Sequence, residues 1–236
     1  GISFDACLKD AQRLGYAESD PFLDVSGGDA AHKVLILASI AFGARPDFAQ
    51  VQVEGIDKIE AMDIALSNKF DYRIKLVAEA FRSNGGVKCR VAPVLVQKDH
   101  PLAQINGPLN AVLVEGEPVG RLTFTGPGAG AGPTAAAVMG DLARLFEGPA
   151  TPPLGKRARD LAPLISAANG VADQGSFFIG AKLADKPGVF AALTEQLGDD
   201  LVNVKRIHEK LRTLGKFLLP PLTFFLLSHD IDVPAG

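Results

Sequence analysis

Lys33 lies four residues after Asp29 in the stretch ESDPFLDVSGGDAAHKVLILASIAFG, with Glu18, Asp20 and Asp24 just upstream. A carboxylate and a lysine at i,i+4 stack on one helix face, in the favourable order with the acid first. Alone, such a pair reads as a surface salt bridge. Two features argue for chemistry. Lys33 runs directly into the apolar residues 34–43, so its neighbours belong to a core. It also falls in the first turn of the expected helix, where the backbone dipole disfavours a cation. Burial and dipole oppose its charge while Asp29 supports it, a tension typical of an acid–base residue. Glu18 and Asp24 stand on a loop that contains Pro and Gly, without basic neighbours, so they face water or a cationic ligand such as an ammonium group. Their spacing does not fit an EF-hand calcium loop.

Further along, TGPGAGAGPTAAAV sets Gly126, Gly128 and Ala131 in GxGxxA spacing. That is a weak dinucleotide fingerprint, because the motif belongs in a first βα turn with an acid about 20 residues further on. The segment reads either as a flexible connector or as backbone passing close to a ligand, with helix amides open to an anion. In DKPGVF, Asp185, Pro187 and Gly188 are good turn chemistry between a strand and a helix. Cys7 and Cys89 have no CxxC partner and read as reduced thiols of a cytoplasmic protein. The four histidines give no zinc spacing, and no metal site is expected.

The elements that must position these groups follow from periodicity. Residues 2–14 and 29–42 read as helices, the second apolar on nearly every face and hence buried. A short strand and a helix near 61–68 come next. YRIKLVAEAF and GVKCRVAPVLVQ, joined by SNGG, form a hairpin, and NAVLVEGEPVGRLTFTGPG forms another around EGEP. The expectation is an α+β domain at 1–148 with a mixed or antiparallel sheet of about four strands and helices on one face. Prolines, glycine and charges mark a linker at 149–172. Residues 173–236 read as a small, incomplete βαβ module: strands in GSFFIGAKL, DLVNVKRIHEK and LTFFLLSHDID, with a turn and helix after the first.

With 47% hydrophobic and 22% charged residues the composition is that of an ordinary globular protein. A net charge of -3 without a basic run argues against nucleic acid or an anionic membrane as partner and favours small molecules. The apolar runs at 34–44 and 217–227 are shorter than the roughly 20 residues of a membrane span. The amphipathic opening GISFDACLKDAQRLGY is unlike a signal peptide, and the missing initial Met suggests part of a longer protein.

LGYAESDPFLDVSGGDAAHK, followed by EGI, HPLAQINGPLNAVLVEG and GPGAGAGPTAAAV in that order, resembles homoserine dehydrogenase over residues 1–148. The tail with DKPGVF resembles an ACT domain, a ferredoxin-like regulatory module. The resemblance implies interconversion of L-homoserine and aspartate semialdehyde with NAD or NADP. It places the catalytic pair on Lys33 and Asp29, binding of the substrate ammonium on Glu18 and Asp24, and cofactor contacts on Gly128, Gly130 and Thr134. Asp185, Pro187 and Gly188 would form an effector site, threonine being the expected effector. The family's N-terminal dinucleotide-binding domain is not in this sequence, so residues 1–236 alone are expected to be inactive. A homodimer or homotetramer is expected. Two other readings compete: a non-catalytic amino-acid sensor with a degenerate dehydrogenase domain, and an assembly domain whose sheet only dimerises.

Overall fold

The computed structural model describes residues 4–14, 19–83, 86–148, 152–165, 177–182 and 223–228. The chain divides into two compact units, Gly1–Asn169 and Gly170–Gly236.

In the first unit the long β-rich runs pair as expected. β2 (Tyr72–Ser83) and β3 (Gly86–Gln97) form an antiparallel ladder from Tyr72↔Gln97 to Ser83↔Gly86. β1 (Gln52–Val53) adds to β3 in parallel through Gln52↔Arg90 and Val53↔Val91, giving the order β1-β3-β2. Helix α3 (Gly28–Phe42) packs on this sheet. Its buried residues Gly28, Ala31, Val34, Leu35, Ala38 and Ser39 recur every three or four positions, so one stripe meets Val87, Cys89 and Val91 of β3. The expectation of a helix buried all round is corrected: Ile36, Leu37 and Ile40 on its far side are 52%, 41% and 56% exposed. A three-stranded sheet offers a helix support on one side only.

α1 (Phe4–Arg13) and the short α2 (Phe22–Ser26) precede α3. α4 (Ala61–Lys69) packs on β2 and buries Leu66; at its start Glu60 and Asp63 form a capping box, in which the Glu60 amide donates to Asp63 Oδ2 at 2.8 Å.

The second hairpin, β4 (Leu109–Gly116) with β5 (Gly120–Pro127), is a sheet of its own, which corrects the expectation of one sheet of about four strands. The chain leaving β3 is stapled back over β2. Arg73 donates to Ala103 O at 3.1 Å and Asn106 Oδ1 at 2.8 Å, and Lys75 donates to Ile105 O. The strand that follows therefore leaves the sheet instead of pairing with its edge. α5 (Ala131–Glu147) buries no residue. Within the stretch read as a linker, Leu161 and Leu164 are buried, and Ala162 and Leu164 bridge to Ala44 and Val87.

In the second unit β6 (Phe177–Lys182) and β7 (Thr223–Ser228) pair antiparallel, Phe177 opposite Ser228. The turn at Asp185, Pro187 and Gly188 and the strand expected in DLVNVKRIHEK lie outside the described residues.

Candidate active site

Two glycines make the corner on which the candidate side chains stand. Asp20 Oδ1 accepts from the Phe22 amide at 3.1 Å and so starts α2, an Asx-type turn that gives one of the clustered acids a local role. α2 ends at Gly27, left-handed at φ +83, and α3 begins one residue later. The Gly27 amide donates to Asp24 O at 3.4 Å and the Gly27 carbonyl accepts from Ala31 at 3.0 Å, so this residue closes one helix and opens the next. Asp24 therefore sits on a short helix, where a loop was expected.

On α3, Lys33 Nζ donates to Asp29 Oδ2 at 2.5 Å. Lys33 falls in the second turn and its side chain is 57% exposed, which corrects the expectation of a desolvated lysine in the first turn. The helix starts at Gly28, and the sheet holds the opposite face. Asp29 lies in the first turn, where the dipole favours an anion, and is 44% exposed. In water such a pair stabilises a helix by only about 0.3–0.5 kcal/mol, so its geometry matters more than its energy. The next residue back, His32, rests its ring on Phe48, centroids 4.9 Å apart.

The structure thus brings Asp29 and Lys33 into contact and places Asp24 on the neighbouring helix, packed against theirs. Glu18 lies outside the described residues. Gly128, Gly130 and Thr134 lie on the separate segment that opens α5. A Cβ at Gly128 would collide with the Asn110 side chain, and the Gly128 amide donates to Pro108 O at 3.4 Å, so this glycine is spent on packing. Gly130 (φ +110) precedes the first turn of α5, whose Ala131 and Gly132 are exposed. Such an open helix start fits the anionic edge of a dinucleotide. A cavity of about 240 Å³ lined by Val77, Glu79, Val94, Val96, His100 and Leu102 includes none of these residues. Among the described residues no group of three or more His, Cys, Asp or Glu side chains is placed to hold a metal ion, and no helix is long and apolar enough to cross a membrane.

The sequence alone assigns no role to the glycine of EGI, Gly55. Gly55 is buried against the backbone of Val25 and Ser26, directly beneath the corner. Its signal was a lone glycine between a β run and a helix start.

The family model described as homoserine dehydrogenase matches residues 1–143. A homoserine dehydrogenase of Synechocystis is 47% identical over 165 residues, 65% of this chain and 38% of that protein. One from Pseudomonas aeruginosa is 38% identical over 240 residues, 98% of this chain and 54% of its own length. The crystal structure of a homoserine dehydrogenase from Thiobacillus denitrificans superposes with a TM-score of 0.72 at 38% identity, covering 84% of this chain and 47% of that one. The chain thus spans about half the length, or less, of the relatives it matches. By the family model, which covers more than half of its residues, the chain belongs to the homoserine dehydrogenase family.

Proposed function

We propose that the protein interconverts L-homoserine and L-aspartate 4-semialdehyde with NAD or NADP, a step towards threonine, methionine and isoleucine. The observation that carries this reading is the bonded Asp29–Lys33 pair, solvent-facing at the start of a helix whose other face is locked in the core. Lys33 takes the hydroxyl proton of homoserine during oxidation and returns it to the carbonyl oxygen during reduction. Asp29, through its bond to Nζ, holds the amine in one rotamer over the substrate oxygen. Asp24 and Glu18 receive the substrate ammonium, a charge-assisted contact made equally in ground and transition states. The nicotinamide, when bound, accepts or supplies the hydride at the carbon bearing that oxygen. Gly130 and Thr134 at the start of α5 would hold its dinucleotide, with Gly128 shaping the loop. A hyperthermophilic archaeal homoserine dehydrogenase, similar to this chain at 26% identity and a TM-score of 0.50, was solved in complex with NADPH.

Lys33→Ala in the natural full-length protein should lower kcat by about 10²–10⁴-fold, the scale of acid–base catalysis, with thermal stability nearly unchanged. Asp24→Asn should act chiefly on the homoserine KM. Near-normal turnover of the Lys33 variant would remove it from the chemistry.

The protein works in the cytoplasm as a homodimer or homotetramer. Residues 173–236 form an ACT-like module in which Asp185, Pro187 and Gly188 receive an amino acid, threonine by the logic of end-product control. Calorimetry with threonine should give binding heat that Gly188→Asp abolishes. A wild-type protein giving neither heat nor inhibition would exclude threonine.

A further inference from the structure

The loop at residues 54–56 and the corner between α2 and α3 meet backbone to backbone. A Cβ on the buried Gly55 would strike the Val25 carbonyl oxygen and lie 2.8 and 2.9 Å from Ser26 Cα and C. All three are main-chain atoms, so no side-chain rotation makes room. The contact is stitched on both sides: the Ile56 amide donates to Val25 O at 2.9 Å, and the Glu54 amide donates to Val91 O at 2.8 Å. From the sheet side, the empty Cβ position of Gly27 lies 3.2 Å from Cγ1 of both Val53 and Val91. Loop, β1 and β3 thus clamp residues 25–27, the segment that joins Asp24 to the start of α3.

We propose that Gly55 is a positioning residue, whose missing side chain seats this corner and thereby fixes where Asp24 stands relative to Asp29 and Lys33. The inference rests on the assignment of those three side chains to homoserine. α3 is anchored along its buried stripe, whereas α2 has no buried residue. A methyl group at position 55 must therefore part the loop from the corner, which frees α2 rather than α3. Asp24 shifts, and the Asp29–Lys33 pair, internal to α3, survives.

That asymmetry gives a kinetic signature in the natural full-length protein. Gly55→Ala should raise the homoserine KM about tenfold and lower kcat by up to about 10²-fold, since a shift near 1 Å suffices for such losses. The KM for the nicotinamide cofactor should stay at the wild-type value, as should the circular dichroism spectrum. A folded Gly55→Ala with wild-type homoserine kinetics overturns the proposal. So does one that loses homoserine and cofactor binding in equal measure, the mark of general damage. If Gly55→Ala does not fold, Gly27→Ala presses on the same corner from the sheet side and decides by the same split. Should the wild type leave homoserine untouched, the functional reading fails first. The seat is then scored by amide exchange in Gly55→Ala: faster exchange at Ile56 with protection kept in the middle of α3 supports it, and unchanged exchange at Ile56 sinks it.

Discussion

Cys89 packs among Ala31, Val34 and Val91, and burial pushes its thiol up from 9.0 to about 11. As pH rises the unfolded chain gives up this proton first. The residue's contribution to stability is therefore complete below about pH 9 and fades between 9 and 11. Cys7 is exposed. Ellman's reagent at pH 8 should find one fast thiol in the folded chain and a second only after denaturant; two fast thiols would contradict this burial. At this scale the sequence was most legible where chemistry is local. The Asp29–Lys33 contact follows from spacing alone, because i,i+4 on a helix admits little else. The role of Asp20 was not legible, since an acid that starts a short helix and one that waits for a ligand look alike until the turn is formed.

Helix α3 shows what the core requires of an element. Ala31 and Ala38 are fully buried where the helix meets the sheet, and their small size sets how closely it lies. Ala38→Leu should over-pack this contact and cost about 1–3 kcal/mol, read as a lower urea midpoint at unchanged slope. A midpoint equal to wild type would mean the interface has room that the burial denies. Both hairpins were readable because their strands are neighbours in sequence and their turns are explicit. The parallel pairing of β1 with β3 was not, being only two residues long and dependent on the distant Arg90 and Val91. The departure of β4 from the sheet was hidden for the same reason: it follows from Arg73 and Lys75 reaching carbonyls some thirty residues away. Lys75 itself has its pKa lowered, first by burial and then by the charge of Arg73.

At the scale of the whole molecule, an apolar and open surface stands out among the described residues. Leu122 and Phe124 on β5 are 40% and 60% exposed, and on α5 Met139, Leu145 and Phe146 reach 63%, 63% and 88%. Side chains of this size along a hairpin and a helix mark surfaces that bind other surfaces. The proposed homodimer answers to the β4–β5 hairpin in particular, whose two strands otherwise form a sheet by themselves. The natural protein should sediment as a dimer or tetramer at micromolar concentration, and Phe124→Asp should move it towards monomer. A wild-type monomer would refute the assembly. The sequence reading of one four-stranded sheet with helices on a single face leaves the far face of that sheet bare, whereas the open β-surface lies on a separate hairpin, because alternation reports apolar faces without saying which strands share them.

The slightness of β1 has a consequence for heat. Two residue pairs join it to β3, whereas twelve pairs join β3 to β2, so the strand and the loop after it belong to the part of the fold that opens most cheaply. Breathing there frees the corner beneath Asp24 while the long ladder and α3 remain intact. On warming, the proposed homoserine turnover of the full-length protein should have a shorter half-life than its ellipticity, and cooling should restore it for as long as the ladder has held.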